Sequence, residues 1–251
     1  MEAHGSSPTL SDGAASTVDM NSPSDLFLRR SVLAVSLALG GFSTHASAQT
    51  HGLDPADLRA VNVEVSAATY RGRSATRVIE RQPTPPVASG EAIAILPGPE
   101  FINGVIEVDV VGRLAPGSGA GARGFVGLAF DVTDGGSRFK SFYLRPTNGR
   151  ADDQLRRNHS TQYTSIPEHP WNRLRKEEPG VYESYVDLEA DAWTRMRVVV
   201  EGTKASLFVN GAEQPCLIIN DLKHAARGGA IALWLGAGTE AFFANLRIER
   251  R

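Results

Sequence analysis

The chain has 251 residues, 26 Lys and Arg against 28 Asp and Glu, a formal net charge of −2, and a single cysteine. Nucleic-acid binders carry a clear basic excess, so this balance argues against that class. A lone cysteine leaves no internal disulfide for an exported fold to lean on, and Cys216, inside the apolar run "PCLII", reads as a buried small hydrophobe.

Residues 1–48 read as an N-terminal extension ending in a signal peptide. Arg29 and Arg30 form a charged start, residues 31–42 an apolar run, and Ala46-Ser47-Ala48 a small-residue cleavage site. The apolar run is well short of the roughly 20 residues that span a bilayer, so no membrane span is expected after its removal. The protein is therefore expected to be exported, to the periplasm or the medium. The route is the general secretory one or, from the paired arginines, the twin-arginine one. Met20 offers a second start that would give the signal a more usual length. The remaining 203 residues (251 less 48) hold 24 basic and 24 acidic side chains (26 less two, 28 less four), a formal charge of zero. One domain of that size buries roughly 70% of its unfolded surface.

Residues 49–60 read as a linker and 61–251 as a single domain. Short runs rich in Val, Ile, Phe and Tyr fall at 61–67, 74–80, 91–97, 104–112, 124–132, 138–146, 182–188, 194–202, 204–211, 215–220, 229–236 and 241–249. Gly, Pro, Asn and Asp separate them, which is strand and turn chemistry. With no long amphipathic helix, and only 220–226 suggesting a helical turn, the pattern predicts an all-β, two-sheet antiparallel jelly-roll sandwich. "DGG" at Asp134–Gly136 and "NG" at Asn210-Gly211 are hairpin signals.

Period two assigns faces. In 229–236 Ile231, Leu233 and Leu235 share one face, and Ala230, Ala232 and Trp234 form the other, a floor for a flat ligand or a plug under a loop. In 138–146 Phe142 and Leu144 point to the core, opposite Phe139, Ser141, Tyr143 and Arg145. In 241–249 Phe242, Ala244, Leu246 and Ile248 are expected inward, with Phe243, Asn245 and Arg247 opposite.

Between 146 and 180 neither period persists, and a loop of that length is functional or disordered. Leu155, Tyr163, Ile166, Trp171, Leu174 and three prolines argue for an ordered excursion over the sandwich, where sites are commonly built. From 138 to 176 nine Lys and Arg face three acids, a local excess of six in a domain of zero net charge.

The succession "FINGVIEVDVVG", "GFVGLAFDV", "FKSFYLRPTNGRADDQ", "QYTSIPEHPWNRLR", "WTRMRVVVEGTKASLFVNG" and "GGAIALWLGAGTEAFFANLRI" resembles a bacterial exported concanavalin A-like, laminin-G-like jelly-roll domain. It is similar to the keto-disaccharide hydrolase and lyase group over about 101–249. What the resemblance implies is a carbohydrate ligand, bound or cleaved on the concave sheet, by analogy of fold alone.

Jelly-roll glucanases of the laminarinase type carry Glu-x-Asp-x-x-Glu on a strand of the cleft. Glu107 and Asp109 match, but Gly112 stands where the third carboxylate belongs, so half of the pair a retaining glycosidase needs is missing. His51, His159, His169 and His224 lack paired zinc spacing, and calcium at Asp131 or Asp134 has no further support. No metal and no cofactor is expected. The remaining chemistry is in the basic stretch. Arg145, Arg156 and Arg157 suit a ligand carboxylate or vicinal hydroxyls, because a guanidinium donates two parallel bonds. His159, Asp153 and Glu183 are the candidate proton carriers, and Tyr143, Tyr163, Trp171 and Trp234 the candidate stacking surfaces. The same arginines and acids would equally make an ion-pair network that pins the loop. Three readings therefore stay open: a glycoside hydrolase or lyase, a non-catalytic carbohydrate-binding module, and a structural network. Oligomeric state is not legible.

Overall fold

The computed structural model describes residues 49–81, 91–119, 121–225 and 227–251; the extension and signal expected at 1–48 lie outside them. Fifteen strands are formed among the described residues: β1 Gln49–Thr50, β2 Arg59–Val61, β3 Val63–Tyr70, β4 Arg73–Glu80, β5 Ala92–Ile95, β6 Gly104–Leu114, β7 Val126–Thr133, β8 Arg138–Leu144, β9 Thr161–Ile166, β10 Glu183–Ser184, β11 Thr194–Glu201, β12 Lys204–Val209, β13 Leu217–Ile219, β14 Ala230–Leu235 and β15 Thr239–Arg250. Three short α-helices among the described residues, α1 Pro146–Gly149, α2 Gln154–Asn158 and α3 Trp171–Glu177, all fall between β8 and β10.

The strands make two antiparallel sheets. One runs β13-β12-β11-β6-β15-β4-β3, with β1 also paired to β15; the other runs β10-β9-β8-β7-β14-β5-β2. Period-two alternation turns one face of each toward the other. Ile106, Val108, Met196, Val198 and Phe243 from the first sheet meet Leu128, Phe130, Phe142, Leu144 and Leu233 from the second in one buried cluster. Each such side chain contributes about 1.5–3 kcal/mol by leaving water. The chain is thus an all-β, two-sheet antiparallel sandwich of the jelly-roll kind. The outer face of the seven-stranded sheet carries a second buried cluster that includes Ile93, Ala129, Phe139, Tyr143, Ala232 and Trp234. No helix among the described residues is long and apolar enough to cross a membrane.

Five expectations change. The stretch 146–180, read as a loop, contains β9, which pairs with β8 along its whole length. Its sequence TQYTSI places Thr, Ser and Gln on buried positions of both faces, so hydrophobic alternation is absent although the strand is buried along most of its length. The run 182–188 contracts to the two residues of β10, and the linker 49–60 supplies β1 and part of β2. In β15 the inward set is Ala241, Phe243, Leu246 and Ile248, which reverses the expectation for Phe242 and Phe243. The cause is an irregularity in the pairing between Ala244 and Arg247, where Asn245 takes a left-handed φ of 56°; one extra residue there moves the face of everything before it. Finally, 220–225 bends without forming a helix.

Candidate functional site

Antiparallel register carries one row of outward side chains across the seven-stranded sheet. Glu183 on β10 lies opposite Gln162 on β9, and Gln162 opposite Tyr143 on β8. Tyr143 lies opposite Gly127 on β7, Gly127 opposite Trp234 on β14, and Trp234 opposite Ile93 on β5. Gly127 decides how this row packs, because a Cβ there would stand 2.1 Å from the Phe142 carbonyl oxygen and 2.7 Å from the Tyr143 Cβ. With that space open, Tyr143 and Trp234 lean together over β7 and stack at 4.4 Å between centroids, 26° apart. Such pairs add about 0.5–1.5 kcal/mol beyond their burial. Phe125, just before β7, extends the stack at 5.8 Å from Tyr143. Each end of the stack is tied by a polar group: Trp234 Nε1 donates to Glu91 at 3.0 Å, and Arg145 Nη2 donates to the Tyr143 hydroxyl at 3.1 Å.

Arg145, immediately after β8, is 3% exposed. Its Nη2 also donates to Gln162 Oε1 at 2.9 Å and its Nη1 to the His159 carbonyl at 3.0 Å, while Glu183 Oε2 stands 3.7 Å from Nη1. Arg175 on α3 holds the same carboxylate through Nε at 2.9 and 3.0 Å and Nη2 at 2.5 Å. His159 Nε2 lies 3.2 Å from Glu183 Oε1. One buried carboxylate therefore meets two guanidiniums and an imidazole, the pairing without which its burial would be very costly. Burial lowers the His159 pKa below the ordinary imidazole value, with Arg175 and Arg145 adding to the effect against the pull of Glu183. Burial raises the Tyr143 hydroxyl, opposed by Arg145, and raises the Glu91 carboxyl, opposed by the bond from Trp234.

A groove runs above this row. One reach, of about 280 Å³, is bounded by Glu80, Glu91, Arg123, Phe125, Tyr143, Trp171 and Trp234 among others. The next, of about 350 Å³, is bounded by Arg123, Phe125, Arg145, Asn148, Arg156, His159, Trp171 and Arg175. Arg123, Phe125 and Trp171 belong to both, so the reaches are continuous. A third hollow, lined by Leu155, Pro179 and Tyr185, continues past His159 and Arg175. Trp171, at the start of α3, is 47% exposed, with the Arg175 guanidinium 4.9 Å over its ring. Leu174, 1% exposed, anchors α3 beneath it.

The sequence-predicted residues divide. Tyr143, Arg145, Arg156, His159, Trp171 and Trp234 all line the groove, and Glu183 lies behind it. Tyr143 and Trp234 face mostly each other, at 2% and 7% exposure, so they are its floor and Trp171 its open wall. Tyr163 requires correction: β9 puts it opposite Phe142, hence on the inward face, where it is fully buried and its hydroxyl accepts from the Lys223 backbone N–H at 3.0 Å. Asp153 caps α2, its Oδ1 accepting from the Arg156 backbone N–H at 2.9 Å. Arg157 turns away to the exposed Tyr185, donating to its hydroxyl at 3.2 Å. Phe125, Arg123, Asn148, Gln162, Arg175 and Gly127 were not singled out in the sequence. Only Gly127, a glycine inside a strand pattern, carried a local signal of close packing.

Other motifs resolve as structure. Asp109 lies on the outer face of the opposite sheet, bound by Arg73 at 3.1 Å, Arg195 at 2.9 Å and Asn245 at 2.7 Å. At Gly112 a Cβ would stand 2.1 Å from the Gly124 oxygen, so no third carboxylate fits the laminarinase-type pattern. Asp131, one of the two calcium positions, is paired with the buried Lys140. Among the described residues no three His, Cys, Asp or Glu gather to hold a metal ion. Burial pushes the Cys216 thiol up to about 11.

No protein-family model and no curated protein matches the chain. Solved structures with a similar strand arrangement include carbohydrate-binding module CBM66 from Bacillus subtilis, at 10% identity and a TM-score of 0.47 over 76% of this chain and 98% of that one. A Bacillus licheniformis β-glucanase matches at 15% identity and 0.42 over 82% and 94%. Domain 4 of an extracellular arabinanase from Geobacillus stearothermophilus, in complex with arabinotriose, matches at 13% and 0.41 over 81% and 82%.

Proposed function

We propose that this is an exported carbohydrate-binding protein whose ligand lies in the groove above Tyr143 and Trp234, against Trp171. The observation that carries the reading is the combination of a half-exposed tryptophan wall, a rigid aromatic floor and hydrogen-bonding side chains along one groove. A sugar ring has an apolar C–H face and a rim of hydroxyls. A site of apolar walls with a few fixed polar groups matches both, and the stacked floor is held in place before any ligand arrives.

A second reading, turnover, is favoured by one specific contact, His159 Nε2 to Glu183 Oε1 at 3.2 Å. An imidazole oriented by a carboxylate is the arrangement of a general base, and its lowered pKa keeps it neutral and able to accept a proton. Glu183, clasped by Arg175 and Arg145, suits the orienting role and not that of a nucleophile. A glycan array followed by product analysis tests both readings. We expect oligosaccharide binding that Trp171→Ala weakens by about tenfold or more, the loss of roughly 1–2 kcal/mol of stacking. Absence of any glycan binding by the folded protein would reject the reading. New reducing ends or unsaturated products, lost in His159→Gln, would establish turnover.

A further inference from the structure

The two reaches of the groove differ in charge. Around the one nearer Trp234 stand Glu80 and Glu91 with Arg123. Around the one nearer His159 stand four guanidiniums, of Arg123, Arg145, Arg156 and Arg175, and no acidic side chain. Glu183, behind this second reach, answers Arg145 and Arg175 together. Asp153 sits on the same element as Arg156 and directs Oδ1 to a backbone N–H. Arg156 itself is exposed, and its guanidinium meets only neutral acceptors, the Thr147 carbonyl and Asn148 Oδ1, each at 3.4 Å. Among the described residues it enters no ion pair.

A structural network would match its charges, because an uncompensated cation beside two others raises the energy of the folded state. Here the excess is positive and opens onto a cavity. Asn148, 7% exposed, is held by donating to the His159 carbonyl at 3.2 Å, so the floor around Arg156 is fixed. A planar fork above such a floor fits a carboxylate or a sulfate ester, whose oxygens accept two parallel bonds.

We propose that the sugar recognised in this groove carries an anionic substituent, a carboxylate or a sulfate ester, seated between Trp171 and Arg156. The adjoining unit, toward Glu80 and Glu91, is uncharged, since a second anion would there face two carboxylates. This rests on the carbohydrate reading above and narrows it to acidic oligosaccharides. The two anion sources share the same recognition by guanidinium, and the probe sugars separate them.

The test is calorimetric titration of the full chain with three oligosaccharides of equal length: a neutral one, one bearing a uronate and one bearing a sulfate ester. Each is run in about 20 mM and about 0.5 M salt, across which the screening length falls from roughly 20 Å to roughly 4 Å. We expect at least one anionic sugar to bind about tenfold or more tighter than the neutral one, the worth of one charge-assisted hydrogen bond, with the advantage shrinking in high salt. Which anion wins names the substituent. Arg156→Gln should remove most of the advantage and leave the melting temperature unchanged. Equal or tighter binding of the neutral sugar, or an Arg156→Gln protein that keeps the full advantage, overturns the proposal while the carbohydrate reading stands. Binding of none of the three sugars overturns both.

Discussion

The two outer faces of the sandwich each carry arginines, buried carboxylates, a tryptophan and a hollow, yet they are built to opposite plans. On the eight-stranded sheet, Asp109 is matched by Arg73 and Arg195 and Glu240 by Arg77 and Arg113. Those four arginines have side chains 32–48% exposed, so each pair is a buried anion under hydrated cations. A hollow of about 250 Å³ beside Trp193 is lined by Arg73, Asp109 and Arg195, charges that match one another. On the seven-stranded sheet the order is inverted: a buried cation, Arg145, and a buried anion, Glu183, lie beneath a groove in which the exposed Arg156 meets only neutral acceptors. The presence of charge does not distinguish a site from a scaffold here. The depth at which it is neutralised does.

That inversion makes the largest difference in stability. Glu183→Gln leaves Arg145 buried beside Arg175 without an anion, and removing one partner of a buried pair costs about 3–5 kcal/mol. Asp109→Asn leaves arginines that water already reaches, and its loss is about 1–2 kcal/mol, the worth of charged hydrogen bonds. Chemical denaturation of the two variants measures the contrast; equal losses would mean the faces are not differently built.

Gly127→Val comes next. Its Cβ would enter the space that lets Tyr143 reach Trp234, and overpacking of this kind costs about 1–3 kcal/mol. The stack would be separated and sugar binding lost with it. Retained affinity in a Gly127→Val protein would show that the floor does not form the site.

The smallest effect is the response to acid. His51, His159 and His169 all have pKa values lowered first by burial. An unfolded imidazole binds its proton near pH 6.5, whereas the folded ones bind theirs only at lower pH. Through that window the unfolded state holds more protons, so stability falls as pH drops below about 6.5. The anions of the opposite face, Asp109 and Glu240, have lowered pKa values in which bonds from arginine outweigh burial. Their contribution is lost only further down, as pH falls through the folded carboxylate values. Melting temperatures of wild type and His159→Gln between pH 7 and 5 should diverge in slope, with the variant flatter.

The two faces were not equally legible in the sequence. Strands β6, β7, β8, β11, β12 and β14 carry apolar alternation or continuous apolar runs, and the face of Trp234 followed from Ala230 and Ala232 beside it. The basic excess near His159 marked the region of the groove. What the sequence could not supply was the row itself. It joins Glu183, Gln162, Tyr143, Gly127 and Trp234 from five strands through register, and β9, the link between β10 and β8, is rich in Thr, Ser and Gln with no alternation to read. Tyr163 was misplaced for the same reason: without β9 there was no parity to set its face. Phe242 and Phe243 were exchanged because a single left-handed residue, Asn245, resets the count. Asp153 as a cap and Arg175 as the clasp of Glu183 depend on helices of five and seven residues, too short to announce themselves by period.

The central claim, that the ligand lies over the seven-stranded sheet, is tested most directly by tryptophan fluorescence, because the chain has three tryptophans and they are divided between the faces. Trp171 and Trp234 line the groove, and Trp193 lines the hollow on the opposite sheet. In a Trp193→Phe protein, titration with an acidic oligosaccharide should change the emission as fully as in wild type. Loss of that change on removing Trp193 would put the ligand on the other face and contradict the account.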